Sequence, residues 1–76
     1  MSDGTTTILL WRGEGERRTV AYQNGPAFAE VVREHTDEGP RWFAKALPSK
    51  GIISGPHTKL REAAIELVRA VEEGEV

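Results

Sequence analysis

Apolar and β-branched residues are concentrated in two stretches near the N-terminus, which is the pattern of β-strands. β-Branched and apolar residues favour a first strand over 5–12. A second strand is predicted over 17–23, with Val20 and Tyr22 on one face. The Gly-Glu-Gly-Glu run at 13–16 predicts the turn between them.

The period of the apolar positions changes after Asn24-Gly25-Pro26. Apolar or half-apolar side chains recur at helical spacing at Phe28, Val31, Val32 and His35. A proline suits the first turn of a helix, because the backbone N–H that proline lacks would have no intrahelical hydrogen-bond partner there. The pattern therefore predicts a short helix over about 26–36.

The second half of the chain repeats this order. Residues 41–47 predict a third strand with bulky side chains on both faces, and Ile52 and Ile53 begin a fourth. The last segment carries one apolar stripe at helical spacing, formed by Leu60, Ala63, Ala64, Leu67, Val68 and Val71. Gly74 is the predicted stop of this second helix.

These elements predict one α+β domain over 1–76 with the order ββαββα. We expect a four-stranded antiparallel sheet with two helices on one face. Gly25 and Gly55 stand at equivalent places, 30 residues apart. This spacing favours an internal duplication of a ββα unit, with copies over 5–36 and 41–73, against the alternative that Gly-Pro is common punctuation before a helix.

The stretch 41–71 resembles the YegP-like family of small duplicated ββα domains. The residues that carry the resemblance are Trp42, Gly51, Ile52, Ile53, Ser54, Ala64, Ile65 and Val71. Lys50 stands where that family has Asn, and His57 stands near an aromatic position. The resemblance implies a duplicated fold and self-association rather than an activity.

Composition restricts the ways in which so small a domain gains stability. A chain of 76 residues buries only about 60% of its unfolded surface. It has no cysteine, which excludes disulfides and thiolate metal sites. Its two histidines form no recognisable zinc motif, so we expect no metal and no cofactor. A homodimer or a protein partner is the remaining route to stability.

Catalytic and membrane-bound functions find no support in the pattern of residues. No nucleophile stands at a recognisable spacing from a base, and the Arg-Gly-Glu-Gly-Glu run lacks the lysine of a phosphate-binding loop, so we expect no enzyme. No apolar run approaches the roughly 20 residues of a membrane span, and no signal peptide is recognisable, so we expect a cytoplasmic protein. Small size and the excess of arginine over lysine also suit a phage or mobile-element protein.

The face of the sheet turned away from the helices is the candidate functional surface. An antiparallel sheet with one wet face normally alternates apolar and polar residues. The first and third strands carry apolar residues on both faces, and exposed patches of that kind mark interaction sites. The predicted protein-binding residues are Leu9, Trp11, Phe43 and Leu47.

Two alternatives remain beside a protein-binding face. In the first, a curled sheet or a chain terminus covers both apolar sets. In the second, the same face binds nucleic acid, because basic residues beside aromatic ones supply phosphate contacts and stacking platforms. The basic residues for that role are Arg12, Arg17, Arg41, Lys45 and Lys50. The net charge of −2 argues against a protein that coats phosphate backbones, but it leaves room for a local basic patch.

Overall fold

The computed structural model describes residues 9–23 and 25–74, and these ranges form five strands followed by one helix. The strands are β1 (Leu9–Arg12), β2 (Arg17–Tyr22), β3 (Ala27–Thr36), β4 (Gly39–Ala46) and β5 (Ile52–His57). The helix is α1 (Leu60–Glu72). Within these residues, no helix is long and apolar enough to cross a membrane.

The five strands form one antiparallel sheet in which each strand pairs with the next along the chain. Helix α1 packs across β3, β4 and β5. We call the face that carries α1 the helix-side face; Val20, Ala29, Val31 and Ala44 point to it. The opposite face is the open face, and Thr19, Glu30, Val32 and Lys45 point to it.

The core lies between the helix-side face and α1. Its fully buried members are Val20, Ala29, Val31 and Ala44 from the sheet and Ala63 and Leu67 from the helix. Three of these six are alanines, which lets the helix backbone approach the sheet closely. Leu67 is the largest side chain among them, and full burial of a leucine stabilises a fold by about 1.5–3 kcal/mol.

The predicted fold class is wrong in one element, because the predicted helix over 26–36 is the strand β3. β3 lies between β2 and β4, and Ala29 to Val32 are all buried. A strand with both faces buried loses the simple alternation of apolar and polar residues, so its spacing can imitate that of a helix. The β-branched residues Val31, Val32 and Thr36 were the local signal for a strand. The architecture is therefore βββββα, with five strands and one helix in the described residues.

The second predicted helix is confirmed. α1 begins at Leu60 and ends at Glu72, and Gly74 follows it with a φ of 78°, a left-handed conformation that favours glycine. His57 is the last residue of β5. The first half of the described chain thus ends in a strand where the second half ends in a helix. Residues 5–8 of the predicted first strand lie outside the described residues.

Candidate functional site

One row of paired residues crosses the whole open face. Arg12 of β1 pairs with Thr19 of β2, and Thr19 pairs with Glu30 of β3. Glu30 in turn pairs with Lys45 of β4, and Lys45 pairs with Ile52 of β5. Directly paired residues point to the same face, so these five side chains share the open face.

Glu30 is the centre of this row, and only 2% of it is exposed. Two cations hold its carboxylate. Arg17 Nε donates to Oε1 at 3.0 Å, and Lys50 Nζ donates to Oε2 at 2.9 Å. Burial raises the pKa of Glu30, but the hydrogen bonds and charges of Lys50 and Arg17 outweigh that effect and leave the pKa below its ordinary value of 4.5. The site therefore keeps Glu30 ionised, with each oxygen bonded to one cation.

A second ion pair lies on the same face along β3 and β4. Lys45 Nζ donates to Glu34 Oε2 at 2.5 Å. The same ammonium stands 5.9 Å from the centroid of the Phe43 ring, within the range of a cation–π contact. Arg41 pairs directly with Glu34 across the two strands, while its guanidinium donates to the Pro40 carbonyl at 2.8 Å.

All five residues predicted for nucleic-acid binding lie on the open face. Arg12, Arg41 and Lys45 are placed there by strand pairing, and Arg17 and Lys50 by their contacts with Glu30. Among the strand residues and Lys50, the acidic side chains that the structure places on this face are Glu30 and Glu34. Arg12 and Arg41 have no salt bridge to any other described residue.

The four residues predicted for protein binding do not form one surface. Leu9 packs against the core, and Trp11 pairs with Val20, so both belong to the helix-side face. Phe43 lies on the open face, where it pairs with Val32. Leu47 is half-buried just beyond β4, and its backbone N–H donates to the Phe28 carbonyl at 2.9 Å. The predicted grouping is wrong, because β2 and β3 lie between β1 and β4, and only their registers decide which residues of β1 and β4 share a face.

The sequence pattern did not predict the buried, ion-paired Glu30. In the predicted helix it is one polar residue among several. In a strand it stands between Ala29 and Val31 and therefore points away from both. A single acid within an apolar, β-branched run, with cations on other segments, was the available signal for a buried ion pair.

One Ser–His contact lies on β5. Ser54 Oγ and His57 Nε2 are 3.1 Å apart, which is within hydrogen-bond distance. A nucleophile and its base usually have a third group that orients the base, and no carboxylate among the described residues hydrogen-bonds to His57. The same described residues hold no group of three or more His, Asp or Glu that could bind a metal ion.

Comparison with known proteins adds nothing to this geometry. No protein-family model, curated protein or solved structure matches the chain. The resemblance of 41–71 to the YegP-like family therefore remains a prediction.

Proposed function

We propose that this chain is a non-enzymatic module that binds single-stranded nucleic acid on the open face of its sheet. One observation carries the proposal: Arg12, Arg17, Arg41, Lys45 and Lys50 share this face, although they come from four separate segments of the chain. A whole-chain charge of −2 conceals this arrangement. Local positive charge, rather than net charge, determines where a phosphate backbone lies.

The open face carries more basic than acidic side chains, which suits the binding of a polyanion. Glu30 and Glu34 neutralise part of the basic set through the pairs described above. Arg12 and Arg41 remain without a carboxylate partner among the described residues. They stand at the two ends of the patch. Arg12 shares a row with Lys45, about 14 Å away across three strand spacings, and Arg41 lies four residues or about 13 Å further along β4, so the two arginines are about 20 Å apart. These two arginines are therefore the strongest candidates for phosphate contacts.

Phe43 favours a single strand over a duplex. It lies on the same face, between Arg41 and Lys45 along β4. An aromatic ring beside cations gives a base a surface to stack on, and such stacking contributes about 1–3 kcal/mol per base. Bases in a duplex are already stacked on each other and cannot use this ring.

An acidic protein segment is the competing ligand, because it would meet the same cations. A protein partner on this face was predicted from a joint apolar patch of Leu9, Trp11, Phe43 and Leu47. That patch is divided between the two faces, so the apolar support for a protein ligand on the open face is reduced. The cations and Phe43 together suit a nucleic acid better.

The test is fluorescence anisotropy with labelled oligothymidine and oligouridine over a series of salt concentrations. The variant R12Q/R41Q removes the two unpaired arginines. The variant K59Q/R61Q is its matched control, because it removes the same charge from the exposed start of α1. We expect R12Q/R41Q to weaken binding and to reduce the slope of log K against log salt by about 1.4, while the control leaves the slope unchanged.

Three results would contradict the proposal. The first is the absence of oligonucleotide binding at low salt by the folded parent protein. The second is equal binding of polyglutamate and oligothymidine, which would assign the open face to an acidic protein ligand. An equal loss of affinity in both double variants would show that only the net charge matters.

A further inference from the structure

A pocket lies at the corner of the open face where β1, β2 and the start of β3 meet. It has a volume of about 270 Å³. Val20 points to the helix-side face, so the next residue, Ala21, points to the open face. Leu10 and Ala27 both pair with Ala21 and share that face. The lining residues are Leu10, Arg12, Thr19, Ala21, Gly25 and Ala27. The pocket therefore opens onto the surface proposed above for nucleic acid.

A bulge in β3 removes a large side chain from this corner. The register of β2 against β3 shifts after Val20, and Phe28 is left as an extra residue between the paired positions. Phe28 packs against the core on the helix side, where its ring stacks on that of Tyr22 with 4.3 Å between centroids. The paired side chains left on the open face at this point are the methyl groups of Ala21 and Ala27. Bulges re-aim side chains in this way and are common beside functional sites.

We propose that this pocket receives one nucleobase of the strand that lies on the open face. The inference rests on the proposed function and adds a second base site to it. A cavity of about 150 Å³ accommodates a benzene ring, so the larger volume here holds one heterocycle with its exocyclic groups. Ala21 and Phe43 are two strand spacings and four residues apart on this face, or about 16 Å, so the pocket and the Phe43 ring take different bases.

The chemistry of the lining matches a base that is attached to a phosphate. Leu10 and the two alanines give apolar contact to the faces of a flat ring. The Thr19 hydroxyl both donates and accepts hydrogen bonds, as the edge of a base requires. None of the six lining residues is acidic, and Arg12 is the one cation among them. The pocket thus favours an uncharged ring with an anion beside it.

Arg12 connects the pocket to the proposed path of the phosphates. It lines the pocket, and it has no salt bridge to another described residue. A free mononucleotide offers the same base and phosphate as one unit of a strand. A strand is favoured because Arg12 shares its row with Lys45, so the cationic surface continues across the sheet beyond the pocket.

The first experiment fills the pocket with a leucine. A27L introduces the larger side chain at an exposed position, and A21L does so from β2 as a second test should A27L fail to fold. A64L is the matched control, because Ala64 lies on α1 and lines a groove with Trp11 on the helix-side face. Far-ultraviolet circular dichroism establishes that each variant is folded.

Binding is measured by anisotropy with labelled oligothymidine and with a labelled abasic strand of the same length, which keeps the phosphates and lacks the bases. We expect A27L to weaken oligothymidine binding about 5- to 150-fold, the range for the loss of one stacked base. Binding of the abasic strand and the salt dependence should stay as in the parent, since no phosphate contact is removed. A64L should bind both strands as the parent does.

Competition with thymidine 5′-monophosphate distinguishes the two sources of a base and its phosphate. We expect the mononucleotide to displace labelled oligothymidine only at concentrations far above those of unlabelled oligothymidine, because it occupies the pocket and Arg12 alone. Equal competition by the two would overturn the proposal and assign the pocket to a free nucleotide.

Three further results would overturn the pocket proposal. Equal oligothymidine affinity of A27L and the parent would remove the second base site and leave the nucleic-acid surface standing. Equal losses on the oligothymidine and the abasic strand would show that the leucine obstructs the backbone rather than a base. Tighter binding of a phosphotyrosine peptide than of oligothymidine would assign the pocket to a protein ligand. A parent protein that binds neither strand would overturn the pocket and the proposed function together.

Discussion

Lys50 reaches from the turn after β4 to bond the carboxylate of Glu30 on β3, with 2.9 Å between Nζ and Oε2. The acid is almost completely buried, whereas more than half of the Lys50 side chain is exposed. Arg17 completes the arrangement from β2. One acid thus connects two strands and a turn that are distant in sequence, and the first two predictions below concern this network.

The first prediction concerns the effect of pH on stability. The folded state holds the pKa of Glu30 below its ordinary value of 4.5, because Lys50 and Arg17 outweigh the effect of burial. The stabilisation by Glu30 is therefore complete above about pH 4.5 and is lost as the pH falls through the lower, folded-state pKa. The variant E30Q lacks this titration. At pH 7 we expect E30Q to be less stable than the parent by about 1–3 kcal/mol. This is the usual cost when a buried polar side chain loses part of its hydrogen bonding, here to Arg17 and Lys50.

Urea denaturation of the parent and E30Q from pH 3 to 7 measures this difference. It should shrink as the pH falls below 4.5. A difference that is constant with pH would show that the carboxylate is not preferentially ionised in the folded protein. E14Q, in the exposed β1–β2 turn, is the control for removing an acid.

The second prediction separates backbone strain at Lys50 from its ion pair. Lys50 has a φ of 67°, in the left-handed region, which is unfavourable for residues that have a Cβ. K50A loses the ion pair and keeps the strain, whereas K50G loses the pair and relieves the strain. We expect K50G to be more stable than K50A by about 1 kcal/mol in urea denaturation. Equal stability would mean that the turn relaxes to another conformation.

The third prediction concerns the close approach of Phe43 to Gly55. A Cβ added at Gly55 would lie 2.7 Å from Cδ1 of Phe43 and 3.0 Å from the Trp42 carbonyl oxygen, and the φ of Gly55 is 128°. We expect G55A to destabilise the fold by about 2–4 kcal/mol, from steric overlap and from the unfavourable φ together.

G15A is the matched control for G55A. Gly15 also has a positive φ, of 69°, but no atom lies within 4 Å of an added Cβ there. Its cost should be the conformational one alone, about 1 kcal/mol. Thermal melts of the two variants give the comparison. Similar melting temperatures would indicate that the Phe43 ring moves aside without cost.

The fourth prediction tests the stacking role of Phe43 on the open face. F43L keeps an apolar side chain of similar bulk beside Gly55 but removes the ring. We expect it to weaken oligothymidine binding about 5- to 150-fold, which corresponds to the loss of one stacked base at about 1–3 kcal/mol. The salt dependence should stay as in the parent, because no phosphate contact is removed. Unchanged affinity would show that binding is purely electrostatic.

The sequence by itself determined the features that local spacing controls. The stripe from Leu60 to Val71 predicted α1, because a one-sided apolar pattern at helical spacing has few other solutions. The two-residue period of a strand predicted that Phe43 points away from the helix, and Phe43 lies on the open face, paired with Val32. The Gly-Glu-Gly-Glu turn joins β1 to β2 as expected.

Only the tertiary structure decided the rest. Residues 27–36 carry spacing compatible with a helix or a doubly buried strand, and pairing with β2 and β4 made them β3. The same pairing assigned Trp11 to the helix-side face and Arg12 to the open face. Glu30 and its two cations are separated by 13 and 20 residues, so no local pattern connects them. The physical reason is that strand pairing is a contact between distant segments, and one register decides which residues of both strands share a face.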